Sequence, residues 1–198
     1  EYTVWTNAPD VAAIPANAEW RYLTPSAAPD PAWKTNTFSD AAWPAGLSPL
    51  GYDDPRQNLD CATVIGYGGN PASRYPTAYF RRSFTLVNPA AVTGLVLRAR
   101  VNDGMAVYLN GQEVYRYNLP GGSLAYATLA SMSVPSTLWL DALLATNGLR
   151  QGANLLAVEV HQAAASSPDL LFDLTLTALV NEQVPVVHGQ FGLSKAGE

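Results

Sequence analysis

The chain has 198 residues, 48% of them apolar and only 14% charged, with 11 Lys and Arg against 16 Asp and Glu for a net charge of −5. That length suits one large domain. Charge so far below the ~25% of an average soluble domain leaves the surface to Ser, Thr, Asn, Gln, Gly and Pro. The longest basic run is Arg81-Arg82, which excludes a phosphate-tracking surface for nucleic acid and a contact with anionic membranes. No apolar run approaches the ~20 residues of a membrane-spanning helix, so membrane insertion is not expected. One cysteine, Cys61, rules out an internal disulfide, and no Cys/His spacing suits zinc. The start at Glu1 without Met reads as a mature or excised fragment.

Residues 1–60 carry Pro at positions 9, 15, 25, 29, 31, 44, 49 and 55, a spacing no helical period survives. Trp5, Trp20, Tyr22, Trp33, Phe38, Trp43 and Tyr52 fall in the same stretch. It is expected to be irregular chain pinned to a core by buried rings. Cys61-Ala62-Thr63-Val64-Ile65 is a strand candidate, with Cys61 an inert, buried thiol because no His, Lys or helix N-terminus stands beside it. Gly66-Tyr67-Gly68-Gly69-Asn70 is not a phosphate loop: it lacks the Gly-Lys-Ser/Thr ending, and Pro71 follows it.

From residue 77 the period becomes two. Leu95, Leu97, Ala99 and Val101 share one face of a half-buried strand, and Arg98 and Arg100 the other. Met105 to Leu109, Asn110-Gly111 and Gln112 to Tyr117 read as strand, two-residue type I′ turn and strand, since Asn and Gly accept positive φ. Leu138 to Gly148 is the one segment expected to make a helical turn, ending at Gly148. Alternation resumes with Leu156, Val158 and Val160 on one face and Ala157, Glu159 and His161 on the other. It continues with Leu170, Phe172, Leu174, Leu176 and Ala178 turned inward. Short alternating strands with at most one or two helical turns predict an all-β sandwich. The expected organisation is a single module over 1–182, with 183–198 a tail, a linker or the start of a next domain.

Particular strings then resemble a known family. They are Trp33 with Phe38-Ser39-Asp40-Ala41-Ala42-Trp43 and Pro49-Leu50-Gly51-Tyr52, then Tyr79-Phe80-Arg81-Arg82-Ser83-Phe84. Asn102-Asp103-Gly104 through Asn110-Gly111, and Gly152-Ala153-Asn154 through His161-Gln162, complete the set. In this order they resemble the galactose-binding-domain-like jelly rolls that serve as accessory modules of secreted bacterial multidomain proteins. More distantly they resemble the sugar-binding sandwich of β-galactosidase-type glycoside hydrolases. The resemblance implies a jelly-roll β-sandwich of a secreted or cell-surface bacterial protein, with neighbouring domains of the same polypeptide as partners. It leaves the job open between carbohydrate binding and structural spacing. Asn102-Asp103 stands where such modules often carry two aspartates, as a turn-fixing pair or a cation-ligating one short of a charge. Residues 190–198 resemble the opening strand of lamin-tail-like sandwiches, the alternative being a plain linker.

Glu159 and His161 together meet the minimum for acid–base chemistry, but no nucleophile or paired carboxylate accompanies them. The preferred reading is a polar sheet face on which Arg98, Arg100, Glu159, His161 and Asp173 form a cross-strand ladder. A glycan site, with a polysaccharide or glycan as partner, is expected at the loop-bearing end from Tyr52, Asp53, Asp54, Tyr67, Asn70, Arg74 and Tyr75, in a Gly-rich stretch open to close approach. The alternative is that Tyr52 and Tyr67 merely close the core edge. Asp53, Asp54, Asp60, Asp169 and Asp173 are oxygen ligands available to a structural Ca²⁺, without the loop spacing of a dedicated motif. Asp169 equally suits a turn cap. No other cofactor is expected. The leading expectation is a non-catalytic carbohydrate-binding or substrate-targeting module, and the alternative a structural or protein-interaction spacer without a sugar ligand.

Overall fold

A computed structural model describes residues 2–53 and 60–188. Its strands, in chain order, are β1 (Tyr2–Asn7), β2 (Val11–Ile14), β3 (Glu19–Leu23), β4 (Ala45–Leu47), β5 (Leu50–Asp53), β6 (Thr63–Val64) and β7 (Thr77–Leu86). They continue with β8 (Val92–Asn102), β9 (Gly104–Leu109), β10 (Gln112–Tyr117), β11 (Trp139–Leu144), β12 (Gly152–His161), β13 (Asp169–Val180) and β14 (Gln183–His188). Two short 3₁₀ turns, Pro31–Lys34 and Pro89–Ala91, are the helical elements among the described residues. One six-stranded sheet runs β10-β9-β12-β7-β3-β4, and the other runs β11-β8-β13-β5-β6 with β2 added beside β13. The protein is an all-β sandwich, as its alternation predicts.

The inner faces meet as expected. Leu95, Leu97, Ala99 and Val101 from β8 are buried against Phe172, Leu174 and Leu176 from β13 and against Phe80 and Val158 of the opposite sheet. The Phe80 and Phe172 rings stack with centroids 4.0 Å apart, and Trp20 meets Phe172 edge-on at 4.9 Å. Aromatic geometry adds about 0.5–1.5 kcal/mol per pair beyond the area buried. Asn110 and Gly111 take φ of 51° and 94° between β9 and β10, the two positive values a type I′ turn needs.

Three expectations are revised. Leu138 to Gly148 is not helical: Trp139–Leu144 forms β11 along β8, pairing Trp139 with Arg100 and Asp141 with Arg98. Leu140 and Ala142 pack toward the core between the outward Trp139, Asp141 and Leu143, so the period is two. Residues 183–188, expected in the tail, pair with the first strand, from Asn7↔Gln183 to Tyr2↔His188. Residues 190–198 lie outside the described residues. The third revision concerns the sheet containing β12, whose residues from Asn154 to His161 are all buried. Alternation tells which residues share a face, but does not tell that the second face is wet.

That second face is covered by residues 28–43 and by the loop after β10, over a separate apolar cluster of Trp33, Trp43, Tyr79, Ala106, Tyr108, Leu155 and Ala157. Arg81, 3% exposed, fastens the cover. Its guanidinium donates to the carbonyls of Trp33, Thr35 (3.3 Å) and Phe38 (3.1 Å) and pairs with Asp40 at 2.8 Å. Asp30 caps the 3₁₀ turn by accepting from Ala32 N at 2.8 Å, which sets Trp33 inward and Lys34 beside the sheet.

Candidate ligand-binding groove

The loop-end residues gather at one corner. Tyr52 on β5 is buried in the core, its hydroxyl accepting from Gln162 Nε2 at 2.5 Å and its ring tilted 51° against Tyr67 at 5.1 Å. Burial pushes its phenol up to about 12, against the lowering effect of that hydrogen bond. The Arg74 guanidinium lies 4.9 Å over the Tyr67 ring and donates to Pro71 O (2.5 Å) and Ser166 O (3.2 Å). Half-buried Tyr75 packs on Gly68, where a Cβ would stand 2.6 Å from the ring. Asn70 Oδ1 accepts from Ala72 N at 3.0 Å, closing a local turn. Asp53 faces Asp169 across the β5–β13 ladder, and Asp54 lies outside the described residues. The Tyr52 and Tyr67 rings thus lie tilted across the core edge, with no common plane between them.

The five residues of the expected polar face do not share one face. Arg98, Arg100 and Asp173 do: Arg100 pairs with Asp173 at 3.2 Å, and Arg98 with Asp141 at 3.6 Å. Both guanidinium groups lie on the Trp139 ring, at 4.8 and 4.9 Å. Trp139 and Asp141 were hidden by the helical reading of their segment. Glu159 and His161 belong to β12, in the opposite sheet, beneath the cover. Period two assigns residues to sides of their own strand and says nothing about which sheet that strand joins.

Among the described residues no three His, Cys, Asp or Glu side chains converge as metal ligands. Asn102-Asp103 acts as a turn-fixing pair. Asp103, 1% exposed, accepts from Val134 N (2.8 Å), Ala163 N (2.7 Å) and Ser133 Oγ (3.3 Å), while Asn102 Nδ2 donates to Val134 O (3.1 Å) and Asp169 Oδ2 (2.9 Å). Half-buried Cys61 has its thiol pushed up to about 11 by burial.

The covered face holds a groove of about 520 Å³ that sequence reasoning missed. Its floor is Tyr79 of β7, Glu159 of β12 and Tyr108 of β9, brought together because Tyr79 is the ladder partner of Glu159 and Tyr108 that of Ala157, two residues before Glu159 on the same face. One wall is Pro31, Trp33 and Lys34; the other is Glu113 and Arg116 of β10 with Tyr126. Trp33 is wedged edge-on against Tyr79 (4.9 Å) and Tyr108 (5.7 Å). The Asn110-Gly111 turn was the one sequence signal, placing Tyr108 opposite Glu113. The contacts of Trp33 with Tyr79 and Tyr108, of Lys34 with Tyr108 and of Tyr108 with Glu159 join stretches more than 40 residues apart.

Hydrogen bonds place a proton on one nitrogen of His161, beside the floor. Thr77 Oγ1 donates its proton to Tyr126 O at 2.6 Å and so can only accept from His161 Nδ1 at 3.0 Å. The carbonyl of Thr128, 2.7 Å from the same nitrogen, can also only accept. Nδ1 therefore carries hydrogen. His161 Nε2 lies 3.3 Å from Glu159 Oε2, out of hydrogen-bond alignment, while Glu159 Oε1 accepts from Tyr108 OH at 2.5 Å. Burial is the main cause raising both phenols, Tyr79 and Tyr108, well above the ordinary tyrosine range, and Glu159 adds to it.

The sequence matches no protein-family model and no curated protein. The fold is similar to part of several solved enzymes. A β-glucuronidase of Bacteroides uniformis is 17% identical over 90% of this chain and 18% of its own, at TM-score 0.54. Bacteroides uniformis β-glucuronidase 2, covalently bound to cyclophellitol-6-carboxylate aziridine, is 16% identical over 90% and 18%, also at 0.54. A calcium-binding mutant of that enzyme gives 16%, 90% and 18%, at 0.50. The chain thus spans under one fifth of each of these three enzymes. What is shared is the fold of a β-sandwich domain within a much longer polypeptide.

Proposed function

We propose that the chain is a non-catalytic, jelly-roll accessory module of the galactose-binding-domain-like kind. In this reading it belongs to a larger secreted or cell-surface bacterial protein that acts on carbohydrate, and it binds a glycan. The carrying observation is the groove: a pocket of about 520 Å³ whose floor sets two phenols beside a carboxylate and whose walls carry Lys34 and Trp33. Rings for sugar CH faces, with a few convergent polar groups, are what a small-ligand site requires. The fold likeness to one segment of β-glucuronidases supports the accessory role. Affinity electrophoresis through gels containing soluble polysaccharides, followed by calorimetry with oligosaccharides, tests it. Retardation on at least one polymer, relieved by its oligosaccharide, is the expected result.

A spacer that binds no sugar is the second reading. It is favoured by Leu143 and Trp139, 70% and 41% exposed on the outer strand of the opposite sheet, a surface suited to a neighbouring domain. No retention on any polymer, with no oligosaccharide-induced NMR shift, would establish that reading in place of the first.

A further inference from the structure

Resting on the carbohydrate reading of the groove, we infer that it takes an acidic sugar unit, one bearing a carboxylate or a sulfate ester, and that Lys34 and Tyr79 receive the anionic group. The inference comes from counting charges and hydrogen-bonding groups. Four ionisable side chains line the groove: Lys34, Glu113, Arg116 and Glu159. Arg116 and Glu113 consume each other, Nε to Oε1 at 2.7 Å and Nη2 to Oε2 at 2.6 Å, and Arg116 Nη1 is taken by the carbonyls of Pro120 and Gly122. Glu159 lies beside His161, Oε2 to Nε2 at 3.3 Å, and its Oε1 accepts from the Tyr108 hydroxyl at 2.5 Å. Arg81, under the same cover, is matched by Asp40.

One charge remains. Half-buried Lys34 has no ion-pair partner among the described residues, and its ammonium rests 4.6 Å from the centroid of the Tyr108 ring. Lys34 is one of only two lysines in a chain of net charge −5, so a lone cation inside a groove is not a by-product of a basic surface. The second unspent group is the Tyr79 hydroxyl. Tyr79 is 2% exposed and lines the groove, yet its hydroxyl makes no hydrogen bond within the described chain. Burial keeps that phenol protonated, hence a donor. Each carboxylate already has a donor in the groove, Arg116 for Glu113 and the Tyr108 hydroxyl for Glu159, and the two unspent groups are both donors, one of them charged. Such a site favours an acceptor that carries negative charge, because charge-assisted bonds are about twice as strong as neutral ones.

The test is calorimetry on the full chain with three matched oligosaccharides: uronate-bearing, sulfated, and the neutral analogue, the uronate also as its methyl ester. We expect at least one acidic ligand to bind about tenfold or more tighter than its neutral form, with the advantage shrinking as salt rises. Lys34→Met should abolish the advantage and Lys34→Arg restore it. Tyr79→Phe should weaken acidic binding several-fold, and Arg98→Ala on the opposite sheet should leave it unchanged. Unaltered urea midpoints for the Lys34 variants would separate loss of binding from loss of fold. Uronate-only or sulfate-only binding would each support the inference and name the source of the anion. Equal binding of neutral and acidic forms, or indifference to Lys34→Met, would overturn the inference while leaving the carbohydrate reading standing. No binding of any saccharide would overturn both.

Discussion

Replacing Arg81 by Met probes how the cover over the second sheet face is held. The guanidinium is 3% exposed and spends its donors on three main-chain carbonyls and on Asp40. Methionine keeps much of the aliphatic stem and removes every one of those bonds. Hydrogen bonds to a charged donor contribute roughly 1.5–3 kcal/mol each, and an acceptor left buried and unpaired costs about 1–3 kcal/mol. The Asp40 side chain is 30% exposed, so solvent screens its share, which should be about 1 kcal/mol. Most of the cost therefore lies with the carbonyls. Arg81→Met should lower unfolding free energy by about 3–5 kcal/mol, and Asp40→Asn by about 1 kcal/mol. Urea denaturation followed by tryptophan fluorescence measures both. A loss below about 1 kcal/mol for Arg81→Met, or equal losses for the two variants, would refute the reasoning and make the ion pair alone the anchor.

Asp103→Ala should cost about 3 kcal/mol in the same assay, because two backbone amides and a serine hydroxyl lose a buried carboxylate acceptor; an unchanged midpoint would show that these loops hold themselves. Gly111→Ala places a side chain at φ 94° with its Cβ 3.3 Å from Thr35 Cγ2, so a loss of about 1–2 kcal/mol is expected by thermal melting, and a neutral result would mean the turn relaxes. Tyr52 and Cys61 bind their protons more tightly folded than unfolded, at about 12 against 10.0 and about 11 against 9.0. The stability they contribute is complete below pH 9.0 and drains as pH rises through about 11 to about 12. Urea midpoints should hold steady from about pH 7 to 8.5 and fall by about pH 11; a level profile to pH 11 would contradict the burial of these groups.

The inner core was legible because inward residues of β8 and β13 recur at period two without interruption, and the Asn110-Gly111 turn was legible because few other dipeptides accept two positive φ values. The reading stopped where a residue's surroundings depend on a remote segment. Glu159 and His161 look like a wet face until the Pro-rich stretch from residue 28 folds over them. Arg98 and Arg100 look like their partners until the strand order puts them in the other sheet. Leu138 to Gly148 misled because Leu, Ala and Asp are acceptable to a helix, and packing against β8 overrode that local preference. The groove was invisible for the same reason: Lys34, Tyr79, Tyr108 and Glu159 share no sequence window.

The fastening of residues 28–43 by Arg81 has a practical side. A shortened protein starting at β4 would keep every strand from β4 onward, lose β1–β3 with the cover, and bare Tyr79, Tyr108, Leu155 and Ala157 side by side on one flank. Fragments cut from the Pro-rich side should therefore self-associate and precipitate, while limited proteolysis of the intact chain should spare the stretch despite its irregular backbone.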